Sequence, residues 1–456
     1  MAATKAYQKR LINNNQRKFF VGTIILIVVI LISGAVSIPF LFESPSIKYK
    51  SGWDKVMLRT GKMIGLTAGM LILLQLPIAG RIKLLDRIFS LPGLYKIHRI
   101  NGYIVGLLIV LHPILVTLPE DRIMIPFEAR YWPEWVGAGL LLAVWGQITL
   151  GRWQAVLIKR YPRWLLIHRL IGMAIPALLV IHLLYVSETF EYEGLPRNSV
   201  IIVSAIMVIL WVAIRGQRLQ ARRRPFEITR IEPAGKDAYS IDMMPVGHKG
   251  FQYMPGQFAF FSFVSHRLST EWHPFTLSSS PTRPESLQVT VRGSGDWTCG
   301  IDSLQKGERV YIQGPFGRFS HLFEADNKDI IMIAGGIGIT PMLSMLREIY
   351  DRGDQRRITL LWSNQTAQHE FTREELITID QKLPNFTWTS IFTDRQEPHG
   401  EIGRLTLNSL KTLLAECRKD AVIFLCGPPN MIKQVRSHLI ALGFPAQSIK
   451  KELFGL

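Results

Sequence analysis

Asp329-Ile330-Ile331-Met332-Ile333-Ala334-Gly335-Gly336-Ile337-Gly338-Ile339-Thr340-Pro341 decides the fold of the C-terminal half. Its apolar run is short and rich in branched residues, the pattern of a buried strand, and it passes directly into glycines and then into the helical pattern of Met342 to Tyr350. Glycine lets backbone approach a phosphate closely, Thr340 can cap the helix, and Pro341 suits its first turn. The helix N-terminus attracts the anion. The spacing is not the G-x-G-x-x-G dinucleotide pattern, so that fingerprint is not claimed. A second strand, Ala421 to Leu425, ends in Cys426-Gly427-Pro428-Pro429. Strands and helices alternate through this region, which predicts a parallel sheet with a nicotinamide ring at its carboxyl edge, beside Cys426. The plain alternative is a buried structural cysteine.

Working towards the N-terminus, short alternating strands with Gly and Pro turns run back from about Ser320 and predict a small antiparallel barrel. Within it, His273-Pro274-Phe275-Thr276-Leu277-Ser278-Ser279-Ser280 sets hydroxyls beside an aromatic ring, suited to the edge and face of a flat polar ring system. Val291-Arg292-Gly293-Ser294-Gly295-Asp296-Trp297-Thr298 offers a fixed cation and a turn that could hold a pyrophosphate. Gly314-Pro315-Phe316-Gly317 reads as a tight turn. A basic stretch, Arg215 to Arg224, precedes Pro225, which should end the helix entering the barrel.

The first half has another character. Six stretches without Asp, Glu, Lys or Arg are about as long as the 17 to 25 residues that cross a bilayer as a helix: Phe19 to Phe42, Met63 to Gly80, Ile100 to Pro119, Trp135 to Gly151, Leu170 to Ser187 and Asn198 to Ile214. The first is read as an anchor rather than a cleaved signal, because it is long and five further spans follow. Segments 1–18, 80–99, 151–169 and 215–224 carry five Lys or Arg each, against three, two and one in the alternating segments 43–56, 120–134 and 188–197. Positive charge stays inside, which predicts a multi-pass cell-membrane protein with both termini cytoplasmic. Much of the net charge of +18 is then a topology signal, and nucleic acid is not an expected partner. Hydrophobic residues at 48% exclude a disordered chain, and three cysteines, Cys299, Cys417 and Cys426, exclude a disulfide scaffold.

Two of the spans carry histidines at matched spacing. His98 and His112 are fourteen residues apart, as are His168 and His182, and His98-Arg99-Ile100-Asn101-Gly102 echoes His168-Arg169-Leu170-Ile171-Gly172. Fourteen helical steps leave two side chains roughly 40° apart on one face and about 21 Å apart along the axis. Facing helices could therefore bind two irons axially, His98 with His168 and His112 with His182. Interhelical hydrogen bonding is the alternative. Arg99 and Arg169 could pair with haem propionates or act as inside-positive anchors.

Together these residues closely resemble the NADPH oxidase and ferric reductase family, which joins a six-helix bis-haem domain to a ferredoxin-reductase-like FAD and NAD(P)H module. The likeness runs from the paired histidines through HPFTLSS, RGSGDWT, GPFG, GGIGITP and CGPP. It implies a multi-domain membrane protein: a cytosolic segment at 1–18, a six-helix transmembrane haem domain at 19–214, a basic linker at 215–225, an antiparallel β-barrel FAD domain at 226–322 and an α/β parallel-sheet NAD(P)H domain at 323–456. It makes His98, His112, His168 and His182 ligands of two b-type haems. His273, Pro274, Phe275, Thr276 and Ser278 would bind the flavin, and Arg292 with Gly295, Asp296, Trp297 and Thr298 the FAD pyrophosphate. Gly335, Gly336, Gly338, Thr340 and Pro341 would hold NADPH or NADH, with Cys426, Gly427 and Pro428 at the nicotinamide. Phe454 fits the place of an aromatic residue that stacks on the flavin, and with Cys426 it completes the expected catalytic set.

The implied activity is NAD(P)H oxidation with electrons passed through FAD and both haems to extracytoplasmic oxygen, forming superoxide. A ferric chelate is the alternative acceptor, and an electron-transfer subunit feeding a partner protein is a lower one. Membrane lipid is an implied partner, and a protein partner is not required by the sequence. One departure bears on the nucleotide: relatives that prefer NADPH often carry arginine after the strand written here Leu361-Trp362-Ser363-Asn364-Gln365-Thr366, where this chain has Asn364 and Gln365. NADH use is therefore open, with Arg395 a substitute cation.

Overall fold

The computed structural model describes residues 14–42, 51–120, 125–158, 160–186, 188–191, 194–324, 327–394 and 400–453. Two compact units divide the chain near Gly216.

The N-terminal unit is helical. Its long helices are α1 (Asn14–Leu41), α2 (Gly52–Ala79), α3 (Leu91–Thr117), α4 (Trp132–Arg152), α5 (Tyr161–Tyr185) and α6 (Leu195–Arg222). Five of them, all but α4, are long and apolar enough to cross a membrane. The expected fourth span is helical, yet Gln147, Glu134 in the first turn, Arg152 in the last and several glycines and tryptophans dilute its apolar character. Helices α2 to α5 share one core, built from Ala68 and Ile72, Val105 and Ile109, Leu140 and Val144, and Ile175 and Leu179. Helices α1 and α6 instead leave Leu26, Ile30, Ile202 and Ile209 exposed. A helix apolar all round and unburied by protein has the pattern of a lipid-facing element. As the basic exit stretch leads one to expect, α6 runs on to Arg222 and stops before Pro225.

The C-terminal unit begins with a six-stranded antiparallel sheet, in order β4-β3-β6-β1-β2-β5. Its strands are β1 (Phe226–Pro233), β2 (Ala238–Pro245), β3 (Phe258–Val264), β4 (His273–Thr276), β5 (Leu287–Arg292) and β6 (Arg309–Phe316). The two end strands approach each other, since Ser278 N, just past β4, donates to Gln288 O in β5 at 2.9 Å. Alternate residues such as Phe226, Ile228, Ile241, Met243, Val289 and Val310 fill the interior. The expected tight turn at Gly314-Pro315-Phe316-Gly317 is displaced. Gly314 to Phe316 finish β6, with a cis Gly314–Pro315 bond, because Phe316 is drawn wholly inside against the rings of Phe258 and Phe260. The chain turns only at Gly317, whose φ is +92°.

Next comes a six-stranded parallel sheet in order β10-β9-β8-β7-β11-β12. It comprises β7 (Ile330–Gly335), β8 (Ile358–Asn364), β9 (Phe386–Phe392), β10 (Glu401–Ile402), β11 (Val422–Gly427) and β12 (Ile449–Leu453). Helices α7 (Thr340–Arg352), α8 (Arg373–Lys382), α9 (Leu407–Leu413) and α10 (Pro429–Ala441) connect the strands. Two apolar clusters flank the sheet, one built on Met332, Leu360 and Phe424, the other on Ile333, Leu361 and Leu425. Strands buried on both faces explain why β7 and β11 read as unbroken apolar runs.

Candidate cofactor sites

The strand order reverses between β7 and β11, and there the two glycine-bearing segments meet. A Cβ on Gly335 would lie 2.4 Å from Met431 Sδ and 2.9 Å from Pro428 Cδ, while one on Gly338 would lie 2.5 Å from the Cys426 carbonyl oxygen. Glycine is therefore required at both positions by close packing. Gly336 has a φ of +53°, and its carbonyl accepts from Trp362 Nε1 at 3.0 Å. The structure thus gathers Gly335, Gly336, Gly338, Cys426, Gly427 and Pro428 at the carboxyl edge of a parallel sheet, at its switch point, where such sheets bind ligands.

Thr340 differs from expectation. It is the first residue of α7 rather than its cap, and its hydroxyl donates to Ile337 O at 3.1 Å, because a short 3-10 turn over Gly336–Ile339 winds directly into the helix. Ile339 holds the capping position and supplies no side-chain bond. The Thr340 N–H is taken by Ile337 O, and Pro341, which has none, lies in the first turn as expected, so the start of α7 is backed by the preceding turn rather than by a side-chain cap. Cys426 is fully buried, and burial pushes its thiol well up, with Glu452 adding to the rise. It is therefore a neutral thiol at neutral pH, not a thiolate nucleophile.

On the antiparallel sheet, His273, Phe275 and Trp297 form an aromatic group. The His273 and Trp297 rings stack with centroids 4.1 Å apart, and Phe275 lies 6.2 Å from Trp297 at 28°. Burial holds His273 below its ordinary value, against the opposing pull of Glu271, whose Oε2 is 3.3 Å from Nε2. Because β4 is an end strand carrying exposed Pro274, one edge of its backbone is available to a flat ring. Thr276 is buried. Ser278 is fully buried too, and its Oγ donates to Gln288 O at 3.1 Å, so its side chain is engaged inside the sheet.

Arg292, at the end of β5, is fixed by Asp237 Oδ2, 2.9 Å from Nε and 2.8 Å from a terminal nitrogen. A Cβ on Gly336 would come within 3.6 Å of the Arg292 guanidinium, so this cation stands beside the glycine loop. Thr298 Oγ1 accepts from Ser294 N at 3.0 Å and Gly295 N at 2.9 Å, which closes the 294–298 turn; Asp296 within it is exposed and Trp297 buried. Phe454 and Arg395 lie outside the described residues.

Sequence reasoning missed the contacts that join the two sheets. Ser344 Oγ donates to Ser279 O at 2.8 Å, and Thr282 Oγ1 bonds Asp351. Arg347 sends one nitrogen to Ser278 O and Gln288 Oε1, at 2.8 and 2.7 Å, and grips Glu375 with two others at 2.6 and 2.7 Å. Tyr253 donates to Ser279 O at 3.0 Å, and burial raises its phenol above the ordinary range. The loop after β4 is thereby tied to α7, which carries the nucleotide loop. A serine and an arginine three residues apart on one face of an amphipathic helix, Ser344 and Arg347, were the available signal.

In the helical unit the four histidines face one another in pairs. The ring centroids of His98 and His168 are 6.3 Å apart, and those of His112 and His182 are 6.4 Å apart. Two metal–nitrogen bonds of about 2 Å plus two ring radii of about 1.1 Å come to roughly 6.2 Å, so each pair has room for one metal atom between its imidazoles. His112 Nδ1 is 2.8 Å from Gly61 O and His182 Nδ1 is 3.0 Å from Pro133 O. Those carbonyls place the proton on Nδ1 and leave each Nε2 lone pair for a ligand bond. Gly65 and Gly137 make the space, because a Cβ on either would lie 2.6 Å from the facing ring. Among the described residues no cluster of three or more metal-ligating side chains occurs. Each pair thus offers two facing imidazoles that could hold one metal between them.

Residues 226–320 match the FAD-binding domain family, and residues 332–437 match the oxidoreductase NAD-binding domain family. The reductase component of propane 2-monooxygenase from Rhodococcus jostii is 27% identical over 236 residues, covering 50% of this chain and 62% of that protein. NADH-cytochrome b5 reductase 1 from Candida glabrata is 29% identical over 182 residues, 39% of this chain and 64% of that protein. The flavohemoprotein of Bacillus subtilis is 26% identical over 243 residues, 51% of this chain and 59% of that protein. The chain thus spans roughly three fifths of the length of each of these relatives, and every alignment covers about half of the chain or less. The C-terminal half therefore carries an FAD-binding domain followed by an oxidoreductase NAD-binding domain.

Proposed function

We propose that this chain is a transmembrane NAD(P)H oxidoreductase of the oxidase and ferric reductase kind, carrying electrons from cytosolic NAD(P)H through FAD and two haems to an acceptor across the membrane. The observation that carries the reading is the facing of His98 with His168 and of His112 with His182, at 6.3 and 6.4 Å, in one chain with an FAD and NAD module. FAD, when bound, would supply the exchange between a hydride donor and one-electron acceptors, and haem held by His98 with His168 and by His112 with His182 would supply one-electron transfer. Oxygen, reduced to superoxide, is the first acceptor, with a ferric chelate second. The five long apolar helices and the excess of basic residues in alternate segments support a cell-membrane location with cytoplasmic termini. Outward electron flow across an inside-negative membrane gains about 2.3 kcal/mol per 100 mV.

The chain's own residues have separable tasks. The 335–338 glycine loop binds the dinucleotide pyrophosphate, and the Arg292 guanidinium and the 294–298 turn bind that of FAD. Phe275 covers the flavin, with Phe454 stacking on it. Cys426, neutral and packed in the core beneath the switch point, backs the glycine loop through its carbonyl, which lies against Gly338. At the end of β8, Asn364 is buried with both amide atoms unpartnered, and Gln365 O accepts from Asp394 N, just past β9. Asn364 and Gln365, in the place where NADPH-preferring relatives often carry arginine, favour use of NADH or of both cofactors.

Cytochrome c reduction by the purified protein, supplied with FAD and NADH or NADPH, tests the acceptor when run with and without superoxide dismutase. Dismutase removes most of the signal if oxygen is the acceptor; an unchanged signal transfers the assignment to direct donation. A second reading, donation to a protein partner, draws on a relative whose name describes the reductase component of a monooxygenase. A co-purifying redox protein and poor turnover with small acceptors would favour it.

A further inference from the structure

The two helix pairs repeat one layout. Gly65 on α2 seats His112 of α3, and Gly137 on α4 seats His182 of α5. Ten residues beyond each glycine comes a glutamine, Gln75 or Gln147. Gln75 Nε2 donates to His98 O at 3.2 Å and lies 3.6 Å from where a Cβ on Gly102 would be; Gln147 Nε2 donates to His168 O at 2.6 Å and lies 3.3 Å from one on Gly172. Each half therefore gives its first histidine a glutamine and its second a glycine.

The two seats differ at Nδ1. His112 and His182 are satisfied by backbone carbonyls, whereas His98 Nδ1 and His168 Nδ1 are buried without a partner. Gln75 Oε1 and Gln147 Oε1 are buried without partners as well. A histidine that coordinates through Nε2 carries its proton on Nδ1, which makes two unmet donors and two unmet acceptors, one of each per helix pair. Buried polar groups left unpaired are rare, and each pairing of a glutamine with the histidine it already holds removes two at once.

We propose that Gln75 and Gln147 are positioning residues of the inner histidine pair: each anchors the ligand helix through Nε2 and accepts Nδ1–H of His98 or His168 through Oε1 when that histidine binds iron. This rests on the bis-haem reading. An acceptor at Nδ1 makes the imidazole more basic and stabilises the oxidised iron, so the glutamines lower the potential of the inner haem and leave the outer one unaffected.

The test is a spectroscopic redox titration of the purified full-length protein, with low-spin electron paramagnetic resonance spectra, the inner signal being the one that His98→Ala removes. Gln75→Leu and Gln147→Leu should each raise the inner midpoint potential, and Gln75→Glu, which gives up the Nε2 donor to His98 O but keeps a stronger acceptor for Nδ1–H, should lower it. The outer potential is the internal control for folding. Inner and outer signals that stay at wild-type positions in all three variants overturn the proposal, as do Leu and Glu variants that shift the inner potential in the same direction. If a Leu variant loses the inner haem while the outer persists, retention of that haem at lowered potential in Gln75→Glu supports the role, and its loss there overturns it. Wild-type protein with no haem band overturns the bis-haem reading itself, a result separable from any effect of the glutamines.

Discussion

A methyl group placed on Gly338 would have its carbon 2.5 Å from the Cys426 carbonyl oxygen, 2.7 Å from the Cys426 carbonyl carbon and 3.0 Å from Gly427 N. All three are backbone atoms of β11, which is held by β7 on one side and β12 on the other, so no side chain can swing aside to make room. Restoring van der Waals distance needs a separation of roughly 1 Å between the loop and the strand end. Overpacking of this kind costs about 1–3 kcal/mol. Because the strained place is the proposed pyrophosphate cradle, Gly338→Ala should weaken NAD(P)H binding by roughly 5- to 150-fold and leave FAD content intact. Stopped-flow reduction of the bound flavin, followed against nucleotide concentration, reads that affinity, and a melting curve reads the accompanying fall of about 2–4 °C per kcal/mol. Wild-type affinity together with a wild-type melting temperature would refute the assignment of the site.

Arg347→Ala removes the paired bonds to Glu375, the bond to Ser278 O in the loop after β4 and the bond to Gln288 Oε1 on β5; allowing for solvent screening, it should cost about 1–3 kcal/mol. Calorimetry checks that cost, and flavin reduction should slow while FAD stays bound. Replacing His112 or His182 with alanine should abolish transfer to an external acceptor and leave NAD(P)H-dependent flavin reduction largely intact, and parallel loss of both activities would count against two haems in series. Gly137→Ala, whose new Cβ would lie 2.6 Å from the His182 ring, should perturb the outer haem spectrum and not the inner one. Paired steady-state curves should give NADH a kcat/KM at least equal to that of NADPH. His273 is held below its ordinary value of 6.5 by burial, so the unfolded chain binds the additional proton. Stability is then complete above about pH 6.5 and falls as the solution is acidified towards the lowered value, a slope that His273→Gln should flatten in denaturant titrations.

Much of the architecture is legible in the sequence because the strands that matter most are the simplest patterns. Ile330 to Gly335 and Val422 to Gly427 are apolar runs ending in glycine, and they become neighbours with their loops packed together. Fourteen-residue spacing likewise places two histidines on one face of a helix, which α3 and α5 display. What could not be read is whatever depends on a partner distant in the chain. Gly65, Gly137, Gln75 and Gln147 are single residues in apolar runs, and their meaning comes from the ring or carbonyl of another helix. Arg347 looks like an ordinary polar-face residue until closure of the antiparallel sheet brings Ser278 and Gln288 to it. Thr340 had the right chemistry for a cap and the wrong backbone, since the preceding 3-10 turn moved the helix start onto it.

The side-by-side burial of β7 and β11 has a consequence for motion. Every residue of both strands is buried, and each strand is paired on both edges. Their amide protons should therefore exchange with deuterium only through global opening of the domain, the slowest class. The glycine loop is thus a short, adaptable tip on the stiffest part of the molecule. Nucleotide binding should slow exchange at residues 336–339 and change it little at 330–334, because rigidity is already built into the strand before any ligand arrives.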